Sequence, residues 1–227
     1  MRLKVMRRVP RVSSASQTDV GRRAGDFAHL ADRRPALDRN RLLAELQPPP
    51  RFADEHFATY RPDPQHPSQA EALEQLQRFA EQIGRERRRG LLRRPALTTA
   101  RGIYLDGGFG VGKTHLLASI WHTAPTPKVF GTFVELTNLV GALGFAEAVH
   151  VLSRHRLVCI DEFELDDPGD TVLMSTLLTR LAEAGVTLAA TSNTLPGALG
   201  EGRFAADDFL REIQALSSRF DVVRIEG

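Results

Sequence analysis

Residues 102–119, GIYLDGGFGVGKTHLLAS, place a glycine-rich loop between an apolar strand and an apolar helix. Within them, GGFGVGKT at 107–114 fits the pattern G-x-x-x-x-G-K-[ST], whose backbone wrap points successive N–H groups at phosphate oxygens. Lys113 is one of three lysines in the chain, with Lys4 and Lys128, so a lysine inside the loop stands out. The alternative is a chance glycine-rich turn, which the strand–loop–helix setting disfavours.

This loop predicts a site for the phosphates of ATP, with Mg²⁺ as the second cofactor. Lys113 is placed to reach the β- and γ-phosphates, and the Thr114 hydroxyl is placed to ligate Mg²⁺. The sequence TSNT at 191–194 is not the N-K-x-D that reads guanine, which favours ATP over GTP. The predicted phosphate-binding residues are Gly107, Gly108, Phe109, Gly110, Val111, Gly112, Lys113, Thr114 and His115.

From residue 101 onward, short apolar runs alternate with helical periodicity. This alternation predicts an α/β fold, with a five-stranded parallel sheet covered by helices on both faces. The predicted strands are 102–105, 128–133, 157–160, 186–190 and 221–225. The predicted helices are 113–123, 139–152, 170–184 and 207–218.

A pair of carboxylates follows the apolar run 157–160 and predicts the catalytic centre. Because ligands bind at the carboxyl edge of open α/β sheets, Asp161 and Glu162 are expected there. Asp161 is placed to hold Mg²⁺ through water, and Glu162 to orient and polarise the attacking water. The alternative is an acidic cluster at a helix N-terminus.

Polar residues also follow the run 186–190. Asn193 is the best candidate for a hydrogen bond to the water or the γ-phosphate, and Thr191 or Ser192 comes next. The alternative is a set of turn residues before a Pro-Gly pair.

Arg219 lies between the last predicted helix and the last strand. An arginine there can reach into a neighbouring subunit's nucleotide site and neutralise transition-state charge, so we expect a homo-oligomer. The alternative is a cation that stabilises a helix C-terminus. Arg203 and Arg211 are weaker candidates.

The first 100 residues are organised differently. They hold 20 Lys and Arg against 12 Asp and Glu, whereas residues 101–227 hold 10 against 16. We expect a disordered basic arm at 1–27 and a mostly helical N-terminal extension at 28–100, ahead of an ATPase core at 101–227. The extension contains a helix at 68–84, with Ser68 and Glu71 as a capping box, and a basic linker at 85–94. The basic half could contact nucleic acid or an acidic partner, but a solvated arm is the simpler interpretation.

Composition limits the class of protein. The single cysteine, Cys159, excludes an internal disulfide and fits a reduced, cytoplasmic compartment. No apolar stretch approaches the roughly 18 residues needed to span a bilayer, so we expect no membrane span.

Three segments together resemble the ZapE-like (AFG-one-like) family of AAA+ ATPases. They are residues 102–119, LVCIDEFELDDPGD at 157–170 and GVTLAATSNTLP at 185–196, and PPPRFADEHFATYRPDPQHPSQAEAL at 48–73 matches the segment ahead of the loop. The resemblance implies the three-layer sandwich of P-loop NTPases of the AAA+ (ASCE) type. It also implies a cytoplasmic ATPase of bacterial cell division, with the division-ring protein as its partner. Mitochondrial relatives are tied to protein quality control.

The resemblance assigns the residues of the site in the same way. By it, 107–114 bind phosphates, Asp161 and Glu162 serve magnesium and water, Asn193 senses the γ-phosphate and Arg219 is the finger. Family members continue beyond the last strand into a helical lid. Because that region does not follow Gly227 here, we expect weak ATP binding and slow hydrolysis from this chain.

Two rival functions remain from other classes. One is a DNA-associated AAA+ factor, such as a helicase loader or transposition helper, that uses the basic N-terminal half. The lack of a recognised DNA-binding motif and of aromatic–basic interleaving disfavours nucleic acid as a partner. The other is a nucleotide-gated scaffold without turnover, which Glu162 disfavours and the missing lid keeps open.

Overall fold

A five-stranded parallel sheet forms the centre of the part of the chain that the structure describes, in the strand order β2-β3-β4-β1-β5. The structure is a computed structural model, and it describes residues 38–83, 102–165, 167–195, 198–199 and 210–227. The predicted arm at 1–27, the basic linker at 85–94 and Arg203 lie outside the described residues. The strands are β1 (Gly102–Gly107), β2 (Lys128–Thr132), β3 (Leu157–Asp161), β4 (Thr187–Ser192) and β5 (Phe220–Ile225).

Helices cover both faces of this sheet, so the predicted three-layer α/β fold is confirmed. They are α1 (Arg39–Glu45), α2 (Pro67–Gln82), α3 (Lys113–Thr123), α4 (Phe133–Leu143), α5 (Phe145–Leu152), α6 (Pro168–Glu183) and α7 (Leu210–Ser217). Alternate residues of a strand point to opposite faces, and β1 shows this clearly. Ile103 and Leu105 pack with α2 and α3, whereas Tyr104 packs with α4 to α7.

The chain ahead of β1 packs closely on this sandwich. Leu76 and Ala80 of α2 are buried in the same apolar cluster as α3 and β5. On the opposite edge of the sheet, the N–H of Phe130 in β2 donates to the carbonyl oxygen of Leu46 (3.0 Å). The N-terminal segment, residues 38–83, therefore adds one backbone hydrogen bond to the outer edge of β2. No helix among the described residues is long and apolar enough to cross a membrane.

Two local predictions were wrong. The helix expected at 139–152 is two helices, because Gly144 has a φ of +80° and right-handed helical geometry stops there. The first of them starts at Phe133 rather than at residue 139, because Thr132 and Glu135 form a capping box with both reciprocal hydrogen bonds. The strand expected to reach Phe133 therefore ends at Thr132.

The capping box expected at Ser68 is also absent. Helix α2 begins one residue earlier, with Pro67 in its first turn and His66 as the N-cap residue. The Ser68 hydroxyl instead accepts a hydrogen bond from the N–H of Glu226 (3.0 Å), which ties α2 to the residue after β5. The other boundaries that the structure describes differ from the predictions by two residues or fewer, and Lys113–Thr123 is unchanged. Residues 207–209 of the helix predicted at 207–218 lie outside the described residues.

Candidate active site

The loop between β1 and α3 turns tightly because its glycines occupy positions that other residues would not. Gly110 and Gly112 have φ angles of +81° and +87°, in the left-handed region that favours glycine. A Cβ atom on Gly107 would lie 2.3 Å from the carbonyl oxygen of Ile225. A Cβ atom on Gly112 would lie 2.6 Å from Cε2 of Tyr60. The loop is thus held between β5 and the N-terminal segment.

Lys113 folds back over this loop. Its Nζ donates to the carbonyl oxygens of Gly107 (2.7 Å) and Gly108 (2.6 Å) and to Oδ1 of Asn193 (2.8 Å). Burial lowers the pKa of Lys113, and nearby carboxylates, of which Asp106 contributes most, oppose that shift. The ammonium group therefore lies between the glycine-rich loop and the end of β4.

Asp161 is buried at the end of β3, with 4% of its surface exposed, and two threonines satisfy it. Its Oδ1 accepts a hydrogen bond from the Thr114 hydroxyl (3.1 Å) and a second from the Thr191 hydroxyl. The structure thus brings Thr114 and Asp161, the two predicted magnesium ligands, into contact. Thr191, a secondary candidate in the sequence, is the side chain that connects Asp161 to β4.

Glu162 is held in an unusual backbone conformation. Its φ is +53°, and it is the one non-glycine residue with positive φ among the described residues. Its N–H donates to the Thr191 hydroxyl (3.1 Å), and the N–H of the next residue, Phe163, donates to the Thr191 carbonyl (2.7 Å). Phe163 is fully buried, whereas the Glu162 side chain is exposed. This turn directs Glu162 toward the cleft while the chain on either side stays anchored.

These side chains line one cleft of about 540 Å³. Lys113, Thr114, Asp161, Glu162 and Asn193 all line it, so the residues that sequence reasoning assigned to one site do lie together. Ser192 also lines the cleft, but its hydroxyl donates to Glu164 (3.3 Å). The arrangement can bind an anion and can hold a water molecule beside a carboxylate.

The N-terminal segment contributes residues that sequence reasoning missed. Arg51 and Phe52 line the same cleft. A second cavity of about 420 Å³ also borders the loop, and Tyr60 and Gln69 are among its lining residues. The Tyr60 hydroxyl donates to the carbonyl oxygen of Val111 (2.8 Å), and burial raises the pKa of that hydroxyl. In the sequence these residues belong to the segment 48–73, which resembles the family but contains no catalytic or ligand-binding motif. Their place beside the site was therefore not predicted.

Two predicted loop residues have further contacts. Phe109 is 88% exposed at the tip of the loop and lines both cavities. His115 also lines both, and its Nε2 lies within hydrogen-bond distance of the Thr59 hydroxyl (3.1 Å) and the His56 carbonyl (3.0 Å). His115 therefore links the start of α3 to the N-terminal segment.

Arg219 lies away from this cleft. The carbonyl oxygen of Arg219 accepts a hydrogen bond from Gly102 N–H (2.7 Å), so Arg219 precedes β5 at the amino edge of the sheet. The phosphate loop is at the carboxyl edge, and Arg219 is not brought together with the other site residues of its own chain. Arg211 is exposed on α7.

The sequence profile of the AFG1-like ATPase family matches residues 37–227. The chain is 31% identical over 141 residues to the cell division protein ZapE of Escherichia coli strain K12. That alignment covers 57% of this chain and 38% of ZapE, so the chain spans less than half of the relative that it matches.

Solved structures share the fold. AMPPCP-bound DnaA from Aquifex aeolicus is 14% identical with a TM-score of 0.57, over 77% of this chain and 50% of that one. The DnaC helicase loader is 16% identical with a TM-score of 0.50, over 78% of this chain and 99% of that one. At these identities the likeness concerns the fold, which is that of P-loop AAA+ proteins.

Proposed function

Because the chain belongs to the AFG1-like ATPase family, we propose that it hydrolyses Mg²⁺-bound ATP at the cleft described above to act on a protein partner in bacterial cell division. The observation that carries the proposal is the hydrogen-bonded set at the carboxyl edge of the sheet. Lys113 contacts Asn193, and Thr114 contacts Asp161, beside one phosphate loop.

The loop residues bind the phosphates of ATP. The backbone N–H groups of residues 107–114 and the N-terminus of α3 are suited to an anion without any rearrangement of distant structure. Lys113 Nζ leaves the carbonyl oxygens of Gly107 and Gly108 and contacts the β- and γ-phosphates instead. This exchange requires rotation of the lysine side chain.

Thr114 and Asp161 fit a magnesium site. A hydroxyl and a carboxylate oxygen only 3.1 Å apart are hard oxygen donors, which Mg²⁺ prefers, and the ion commonly completes its shell with phosphate oxygens and water. When bound, Mg²⁺ supplies charge neutralisation at the phosphate oxygens. Thr191 keeps the Asp161 carboxylate oriented toward Thr114.

Glu162 and Asn193 act on the attacking water. Glu162 accepts a hydrogen bond from that water and polarises it, while the Asn193 amide positions the water or the γ-phosphate. Phosphoryl transfer depends chiefly on such positioning and on charge stabilisation. The fixed turn at Glu162 serves this role because it limits the positions available to the carboxylate.

Arg219 acts in trans within a homo-oligomer. Its place at the amino edge of the sheet, away from the cleft of its own chain, fits a residue that serves a neighbouring subunit. In the competing explanation, Arg219 only stabilises the C-terminus of α7.

The partner is proposed from the relative. ZapE is a cell division protein, and the division-ring protein is the first candidate to test. A DNA-associated role has less support, since the likeness to DnaA and DnaC is one of fold. ATP turnover measured with the purified division-ring protein, and separately with DNA across a salt series, separates the two. Stimulation by DNA that decreases steeply with salt would favour the rival.

The site is tested with two variants and one control. Lys113→Ala should lose binding of fluorescent ATP while remaining folded. Glu162→Gln should retain binding and lose turnover by about 10²-fold or more. The control, Glu183→Gln, removes an exposed carboxylate on α6 and should match wild type. Unchanged ATP binding by Lys113→Ala would show that the site is placed wrongly.

A further inference from the structure

A single 3₁₀ turn, Pro50–Phe52, brings an arginine to the wall of the cleft. Arg51 and Phe52 line the same cavity as Lys113, Glu162 and Asn193. This turn ends at Phe52 and the loop begins at Gly107, 55 positions later in the sequence, so its approach to the cleft is a tertiary contact. Neither the sequence motifs nor the proposed reaction assigns it a role.

The turn is anchored to α3, the helix that follows the phosphate loop. Phe52 packs against the apolar cluster that contains α3, and its carbonyl oxygen lies 3.1 Å from Nε2 of His122. The His122 ring makes an edge contact with His56, with 4.9 Å between ring centroids. His115 contacts the same segment at the His56 carbonyl. The backbone carrying Arg51 is therefore attached to the nucleotide-binding helix at two positions.

The guanidinium of Arg51 is free to bind an anion. It lies over the Phe52 ring, 4.8 Å from the centroid, and it forms no ion pair with any residue that the structure describes. The Arg51 side chain is exposed. A cation over an aromatic face keeps its N–H donors available, and a guanidinium fork matches the geometry of phosphate oxygens.

The charge of the cleft calls for a second fixed cation. Among the described residues that line it, Asp161 and Glu162 are acidic, and the fixed cations are Lys113 and Arg51. One magnesium ion and one lysine offset most but not all of the charge of a triphosphate, and Asp161 and Glu162 add two further negative groups at the same cleft. A further positive group at the same wall lowers that repulsion.

We infer that Arg51 is a further nucleotide-binding residue, whose guanidinium contacts the terminal phosphate of ATP from the same chain. The inference rests on the proposed nucleotide site. Arg51 lines the same cavity as the residues assigned to the terminal phosphate and the water, and it does not line the cavity of Tyr60 and Gln69. The contact therefore distinguishes ATP from ADP.

Equilibrium binding of AMPPCP and of ADP to the 227-residue chain tests this inference. Arg51→Ala should weaken AMPPCP binding by about 10-fold or more, since it removes a charge-assisted contact, and should change ADP binding by less than about 2-fold. Arg51→Lys should restore part of the lost affinity. Millimolar guanidinium added to Arg51→Ala should also restore part of it, which a merely structural role would not produce. Arg78→Ala, which removes an exposed arginine of α2, is the matched control and should bind like wild type.

Other outcomes have distinct meanings. Equal losses for AMPPCP and ADP, together with a lower unfolding temperature, would show that Arg51 only supports the fold, and the inference would be wrong. Wild-type binding by Arg51→Ala, alongside lost binding by Lys113→Ala, would overturn the inference and leave the nucleotide site standing. Wild-type binding by Lys113→Ala as well would remove the proposed site itself.

Discussion

Replacing Thr191 by valine should remove the side-chain link from β4 to Asp161 and to the N–H of Glu162. The Thr191 hydroxyl donates to Oδ1 of Asp161 and accepts from the N–H of Glu162 (3.1 Å). Thr191 itself is 1% exposed, so water has little access to replace the hydroxyl. Valine keeps the shape and the β-branch of threonine, and the change therefore removes hydrogen bonds with little change in packing.

The size of the effect follows from these two bonds. A hydrogen bond to a buried carboxylate contributes about 1.5–3 kcal/mol, and a buried donor left unpaired costs about 1–3 kcal/mol. The two losses overlap, because both groups can shift, so we expect a decrease of about 2–4 kcal/mol in the free energy of unfolding. For a domain of this size that corresponds to a melting temperature lower by about 5–15 °C.

Turnover should fall as well. The backbone of Glu162, at a φ of +53°, is in a region that costs a non-glycine residue about 1–3 kcal/mol. Without the Thr191 hydroxyl, the turn should relax and move the Glu162 carboxylate. A displacement of about 1 Å can reduce the rate on the order of 10²-fold.

The assay pairs urea unfolding, followed by circular dichroism, with ATP turnover. Thr191→Ser, which keeps the hydroxyl, should recover most of both properties. Thr176→Val is the matched control, since that exposed hydroxyl bonds only to the carbonyl oxygen of Val172 within α6 (2.7 Å). If Thr191→Val has wild-type stability and turnover, the Thr191 hydroxyl does not support the carboxylates, and the reasoning is refuted.

Three further predictions concern other parts of the proposed site. Arg219→Ala and Glu162→Gln should each turn over ATP slowly, but a mixture of the two variants should recover some activity. If both variants fold and assemble and the mixture stays inactive, Arg219 only stabilises the end of its helix. Asn193→Ala should reduce kcat on the order of 10²-fold with a small change in nucleotide affinity, measured by steady-state kinetics and binding; an unchanged kcat would assign water positioning elsewhere. Cys159, the single cysteine, is fully buried and its thiol pKa is raised by burial, so a thiol reagent should label the native chain slowly, and AMPPCP should slow labelling further; rapid labelling independent of nucleotide would contradict the packing of β3.

Most of the fold follows from local patterns in the sequence. The helix Lys113–Thr123 was predicted to the residue because a loop motif precedes it and its apolar positions are periodic. The interruption at Gly144 was missed because the apolar periodicity continues across it, and only the positive φ of one glycine separates the two helices. Ser68 was assigned to a cap from its spacing to Glu71, but Pro67 begins the helix and a tertiary partner occupies the Ser68 hydroxyl.

The residues of the candidate site could likewise be predicted only in part. Lys113, Thr114, Asp161 and Asn193 could be placed together from the sequence because each lies at or beyond the carboxyl end of a strand, and parallel topology brings those ends to one edge of the sheet. The roles of the N-terminal segment were not predictable. Arg51 reaches the cleft through packing on α3, and no local pattern encodes that contact.

The hydrogen bond from the Phe130 N–H to the Leu46 carbonyl oxygen indicates which fragments of this protein can fold. A fragment starting at residue 102 would retain every nucleotide-binding motif. It would also lose the hydrogen bond that Leu46 accepts at the outer edge of β2 and uncover the apolar cluster of α3 to which Leu76 and Phe52 belong. Bare strand edges and apolar patches favour aggregation. The smallest piece that folds by itself should therefore include the chain from Asp38 onward, and a protease should cut within 38–60 only as fast as the whole domain unfolds.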